Sequence, residues 1–214
     1  NVDKDQFNYE ETNKFLSVRL KTYLSIYPSI YYDEYNDNYI KALSGHIFLC
    51  DGESNGKTEI GELEIWHIDG TRAYDNNLDI VDVCDSIGQE EYEYANSIYE
   101  DGYLKSDLVE MPVSNDVLVL HKIAIYPNFR GNKHGLTVTK KIIEVMGYNC
   151  GAILIRPTPL QFSLISENEE WTERMQMSNF EQDESVAKKR LTKYWLKLGL
   201  KRTHIPSIYY MGRY

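Results

Sequence analysis

Between Tyr126 and Lys141 the chain reads YPNFRGNKHGLTVTKK, which sets Arg130, Lys133 and His134 among two glycines, Gly131 and Gly135. An apolar run ends just before this stretch and a helical pattern begins within it. In such a strand-to-helix loop the unpaired amides of the first helical turn and of the loop point at one spot, with the positive end of the helix dipole behind them. Glycine lets a ligand approach the backbone closely. That chemistry suits an anion, a phosphate above all. The loop lacks both G-x-x-x-x-G-K-[ST] and G-x-G-x-x-G, which argues against ATP and NAD.

The element entering the loop is DVLVLHKIAIYP (Asp116 to Pro127), a strand whose two largely apolar faces mark it as central. Val138, Ile142, Val145 and Met146 give the helix that leaves it, ending near Gly147. GAILIRP (Gly151 to Pro157) reads as a short buried strand. Upstream, FLSVRLKTYL (Phe15 to Leu24), SGHIFLC (Ser44 to Cys50) and EIGELEIWHI (Glu59 to Ile68) read as strands joined as antiparallel hairpins, with turn formers at Asp51-Gly52 and Asn55-Gly56. DIVDVCDSIGQEEYEYANSIYED (Asp79 to Asp101) reads as one amphipathic helix weakened by Gly88, with its glutamates, Glu90, Glu91 and Glu93 among them, on a solvated face. Thr158 to Asp183 lacks clear periodicity and is long for a plain connection. A last helix carries Ala187, Leu191, Tyr194, Trp195 and Leu198 and stops at Gly199; SIYYMGR (Ser207 to Arg213) closes the order as a strand. Tyr31 to Tyr39, YYDEYNDNY, is the one compositionally biased tract.

A chain of 214 residues with 42% hydrophobic content can bury one substantial core, and a single domain over 1–214 is expected. No apolar run approaches the roughly 18 residues of a membrane span, and the polar, acidic start is unlike a signal peptide, so the expected location is cytoplasmic, with no membrane partner. Cys50, Cys84 and Cys150 are widely spaced and read as buried free thiols. His46, His67 and His204 lack metal-ligand spacing, and no metal is expected. A net charge of −10 excludes a general nucleic-acid binder. The charge is uneven: from Val117 to Cys150, Lys122, Arg130, Lys133, Lys140 and Lys141 face only Glu144, a basic patch in an acidic protein.

IYPNFRGNKHG resembles the acetyl-CoA signature of the GNAT superfamily of N-acetyltransferases, V-x-P-x-x-[QR]-G-x-G-x-G, at Ile125, Pro127, Arg130, Gly131 and Gly135. LTKYWLKLGLKR (Leu191 to Arg202) is similar to that superfamily's fYekLGFk motif. The likeness covers Val117 to Arg213, and the first hundred residues match only in general character. It implies an α/β (α+β) GNAT fold: a mixed, mostly antiparallel sheet of about six to seven strands, splayed at the cofactor cleft and flanked by about three to four helices. Residues 1–116 would supply N-terminal strands and a helix, 117–157 the acetyl-CoA core, and 158–214 the acceptor loop, last helix and closing strand.

Acetyl-CoA is then the cosubstrate. The amides of Arg130, Gly131, Asn132, Lys133, His134, Gly135 and Leu136 would hold its two phosphates, and the strand edge at Ile123 and Ile125 would pair with the pantetheine amides. His134 reads as an anion contact or as solvent-facing. Lys133 stands where the motif has glycine: it is strained if the loop needs a positive φ there, and otherwise its ammonium aids the pyrophosphate.

Acetyl transfer to an amine needs a base, a donor for the thioester oxygen and an acid for the thiolate. His121 is the expected base: it is read on the strand face of Ile123 and Ile125, and an imidazole titrates near neutrality. Serotonin N-acetyltransferases, which the motif resembles, carry one of two strand histidines here; the companion position is Val119. The amide of Ile123 is the candidate oxygen donor. Aligning on Gly199 puts Trp195 at the motif's tyrosine, and tryptophan cannot give up a proton usefully. Either the adjacent Tyr194 reaches the sulfur, or the thiolate leaves to water, or activity is lost. Trp171, Met175, Met177 and Phe180 could line an acceptor pocket, with Glu169, Glu170 and Glu173 attracting a cation.

The expected function is transfer of an acetyl group to a small-molecule or peptide amine by direct attack in a ternary complex; a homodimer stays open. The alternatives are a non-catalytic acyl-CoA-binding interaction module and a tyrosine-rich adaptor.

Overall fold

The computed structural model describes residues 14–22, 39–51, 56–163 and 169–213. Its strands are β1 (Lys14–Thr22), β2 (Ile40–Asp51), β3 (Lys57–Ile68), β4 (Tyr99–Glu100), β5 (Tyr103–Leu104), β6 (Val117–Ile125), β7 (Ala152–Ile155), β8 (Lys201–Arg202) and β9 (Tyr209–Gly212). Its helices are α1 (Gly70–Asp75), α2 (Ile80–Ile87), α3 (Gln89–Ile98), α4 (His134–Met146), α5 (Glu169–Arg174) and α6 (Glu184–Trp195). The fold is α+β. Seven strands form one sheet in the order β1-β2-β3-β6-β7-β9-β8, while β4 and β5 make a separate hairpin.

All neighbours in the large sheet are antiparallel except β6 and β7. Parallel neighbours need a crossover, and α4 lies in it. β6 is central, with three strands on either side, as its two apolar faces predict. Tyr23 and Leu24, Gly52 and Asn55 of the expected turns, and most of the tyrosine-rich tract lie outside the described residues.

Three readings of the helices and loops are corrected. The helices number six among the described residues, more than the three to four expected. The helix read over 79–101 is two, because Gly88 is fully extended (φ 178°, ψ 165°) and breaks the hydrogen-bond ladder between α2 and α3. That break resets the helical phase, so Glu90 and Glu93 do not continue the polar side of α2, while Tyr94 is buried in the core as its apolar spacing predicts. The irregular stretch 158–183 contains α5 and short 3₁₀ turns at Leu160–Phe162 and Met177–Asn179.

The sheet buries both faces. On one, Trp66, Ile68, Val117, Val119 and Leu154 pack with Ile80, Val83, Tyr94 and Ile98 of α2 and α3. On the other, Leu63, Ile65, Leu118 and Leu120 pack with Leu136, Val138 and Ile142 of α4 and with Trp195 of α6. Each such aliphatic side chain taken from water contributes about 1.5–3 kcal/mol. The three cysteines are buried and free. Among the described residues no helix is long and apolar enough to cross a membrane.

One irregularity sets the site. Glu64 pairs with Lys122 and Trp66 with Val119, so opposite the single residue Ile65 of β3 lie two of β6, Leu120 and His121. This is a β-bulge, and it inverts the alternation of every later residue. Leu118, Leu120, Ile123 and Ile125 therefore share the α4 face. His121 does not share it, contrary to the period-two reading: its ring stacks on Trp66, with centroids 3.9 Å apart and planes at 18°.

Candidate active site

β6 and β7 pair from Val117↔Ala152 to Leu120↔Ile155 and no further, although β6 runs on to Ile125. The sequence after Ile155 explains why: Pro157 and Pro159 have no amide hydrogen to continue a ladder. From His121 onward no strand pairs with the β7-side edge of β6, where the Ile125 carbonyl accepts from Arg130 Nε, and a cleft of about 640 Å³ fills the gap. His121, Ile123, Ile125, Arg130, Gly131 and Lys133 line it, with His134, Gly135 and Tyr194. Of the expected cofactor residues, Asn132 and Leu136 are not on its wall.

At one end of the cleft stands the N-terminus of α4. The amides of Gly131, Asn132, His134 and Gly135 have no acceptor among the described residues. Gly131 has φ +86° and open space where a Cβ would be, so glycine serves the backbone conformation there. Lys133 is also left-handed, φ 58° and ψ 13°. The loop thus does need a positive φ at this position, and lysine bears a strain of about 1 kcal/mol. His134 is partly buried, and that burial lowers its pKa.

Gly135 serves a contact that the sequence did not reveal. A Cβ there would lie 2.9 Å from Tyr194 Oη. That hydroxyl accepts a hydrogen bond from the Leu136 amide at 3.1 Å, which ties the first turn of α4 to α6. Tyr194 is half-buried and borders the cleft, and burial, only partly countered by the Leu136 amide, raises its pKa. A protonated phenol that accepts from an amide keeps its own proton to give. Trp195, at the motif's tyrosine position, also reaches the cleft, but its indole packs in the α4-side core.

Arg130 is committed elsewhere than to phosphate. Its Nε donates to the Ile125 carbonyl at 2.8 Å and its Nη2 to the Met175 carbonyl at 2.7 Å, with Phe180 beneath the guanidinium at 4.4 Å. It staples the 169–182 segment over the end of β6. Glu62 anchors the same segment from β3, accepting from Lys122 at 2.7 Å, from Arg174 at 3.1 Å and from the Trp171 indole. Burial alone would raise the Glu62 pKa, but these donors and charges outweigh it and the net direction is down. Met175, Met177 and Phe180 face the cleft, whereas Trp171 does not. Glu169, Glu170 and Glu173 are exposed and are not part of the cleft wall.

His121 sits where the strands part. Its Nδ1 is 3.6 Å from Glu90 of α3 and its Nε2 is 4.0 Å from Glu64 of β3, while the Trp66 indole donates to Glu64 at 2.8 Å. Arg156, the residue after the last paired position of β7, lies at the same level. Glu93 binds its Nη2, and Tyr94 lies under the guanidinium at 5.1 Å. The α3 glutamates read as a solvated face are thus two of the carboxylates behind the cleft floor. Arg156 was missed as a site residue. The available signal was a cation ending an otherwise apolar strand.

Compared with protein families, with characterised proteins and with solved structures, the chain matches none.

Proposed function

We propose that this chain is an acetyl-CoA-dependent N-acetyltransferase of the GNAT type, acting on an amine of a small molecule or peptide. One observation carries the reading: a single cleft joins the open amides at the start of α4 to the free β6 edge that leads from them to His121. A diphosphate needs the first feature, and an extended pantetheine chain with its two amides needs the second. The strand order, with one parallel pair parting beside a glycine-bearing loop, agrees with the resemblance.

In this reading the amides of Gly131, His134 and Gly135 hold the phosphates, and the Lys133 charge adds to them. The edge at Ile123 and Ile125 aligns the pantetheine arm, and the Ile123 amide faces the thioester oxygen. His121 accepts the proton of the attacking amine. The thiolate is a tolerable leaving group without a dedicated acid, and the Tyr194 hydroxyl stays at the Leu136 amide, at the phosphate end of the cleft. Water is kept from the reacting atoms by the 169–182 segment that Arg130 and Glu62 hold down.

The test is titration calorimetry with CoA and with free pantetheine, followed by a thiol-release assay over an amine panel. CoA binding far stronger than pantetheine binding, with amine-dependent thiol release, is expected. Absence of CoA binding refutes the reading. Binding without turnover on any amine would instead mark a non-catalytic acyl-CoA-binding module.

A further inference from the structure

We propose that Arg156 is a second donor to the thioester oxygen, with Glu93 and Tyr94 holding its guanidinium for that task. The inference rests on the acyl-CoA reading of the cleft. Arg156 directly follows Ile155, whose pairing with Leu120 is the last between β6 and β7, so it faces the gap at its narrow end with His121 on the opposite strand. It lines the cleft. Its Nε is buried and has no hydrogen-bond partner among the described residues, and His121 Nδ1 is the other side-chain atom there in that condition. Both belong to residues of the cleft lining. A buried donor left without an acceptor is costly, and its position beside a cleft fits a group completed by ligand.

The charge around it selects the kind of oxygen. Glu93 already supplies Arg156 with a full negative charge, and Glu90 and Glu64 lie 3.6 and 4.0 Å from the neighbouring imidazole. A second carboxylate from a ligand would be opposed by all three. A thioester carbonyl brings only a partial charge, and this grows while the reaction needs it. The amine lone pair forms the C–N bond as the carbonyl π pair moves onto the oxygen facing Arg156 Nε–H. His121 takes the ammonium proton. The pair returns as the C–S bond breaks, and the thiolate leaves with its electrons and takes the proton back from the His121 imidazolium, giving amide and free thiol. The rigidity of Arg156, fixed by an ion pair on one side and an aromatic face on the other, is what preorganised stabilisation requires.

The test uses acetyl-CoA labelled with ¹³C at the carbonyl, bound without an acceptor and observed by infrared difference spectroscopy. The wild-type protein should move the carbonyl stretch to lower frequency, and Arg156→Met should lose most of that shift with CoA affinity unchanged. Turnover on a responsive amine should fall about 10²–10³-fold in Arg156→Met, and nearly as far in Arg156→Lys, whose charge lacks the Nε position. Since Arg156→Met strands Glu93, the double variant Arg156→Met/Glu93→Gln repeats the measurement without the unpaired carboxylate. A carbonyl shift that persists in a folded Arg156 variant overturns this role alone. Arg156-dependent preference for succinyl-CoA over acetyl-CoA also overturns it, by making Arg156 a carboxylate site. Wild-type protein that binds no CoA takes the acyl-CoA reading down as well.

Discussion

Gly135 and Tyr194 can be tested as a pair, because the distances predict how each substitution depends on the other. A Cβ on residue 135 would fall 2.9 Å from Tyr194 Oη but 3.9 Å from its Cζ, so only the hydroxyl is in the way. In Gly135→Ala the hydroxyl must withdraw by about half an ångström to reach ordinary contact. The Leu136 N–H···Oη distance, 3.1 Å, then stretches out of hydrogen-bond range. A bond of this kind contributes about 1 kcal/mol, and alanine in place of glycine in a helix returns up to about 1 kcal/mol. Gly135→Ala should therefore be near neutral, and Tyr194→Phe should cost about 1 kcal/mol. In the phenylalanine background there is nothing left to break, so Gly135→Ala should there stabilise by nearly 1 kcal/mol. The double-mutant cycle closes with a coupling of about 1 kcal/mol, read from urea midpoints at constant m. Additivity within about 0.3 kcal/mol would refute the contact and, with it, the placement of the Tyr194 proton at the cleft.

His121→Gln should lower turnover by about 10²-fold or more while CoA affinity holds; a variant that keeps full turnover makes His121 a core residue stacked on Trp66. Arg130→Met should cost about 2–4 kcal/mol, because two hydrogen bonds from a charged group are lost, and should speed proteolysis within 158–182; an unchanged urea midpoint would refute the staple. Glu62 has its pKa lowered in the folded state, so its contribution is present above its ordinary value of 4.5 and is lost as pH falls below it. Glu62→Gln should accordingly be less stable at neutral pH and lose less stability on acidification. Burial pushes the Cys84 and Cys150 thiols up to about 12 from an ordinary 9.0, so the folded state keeps protons that the unfolded chain releases. Stability should fall as pH rises from about 9 towards 12, and Cys84→Ala should reduce that slope; an equal slope in the variant would refute the assignment.

The strand, glycine loop and helix around Arg130 were legible in the sequence because each is a local pattern. An apolar run with both faces nonpolar gives a central strand, Gly147 and Gly199 stand where helices end, and charges clustered between glycines mark a helix start. Gly88 was legible as a weakness, and its backbone makes it a break. The face that His121 occupies was not legible. Side-chain alternation assumes an unbroken ladder, and the bulge at Leu120 and His121 exists only in the pairing of β6 with β3, residues that the chain brings together from some sixty positions apart. The same holds for the two contacts that complete the cleft: Tyr194 reaches the Leu136 amide across 58 positions and Glu93 reaches Arg156 across 63. Periodicity reports how a segment turns relative to itself; which atoms of two distant segments meet is decided by strand register and by where a parallel pair must part, and those are properties of the assembled sheet.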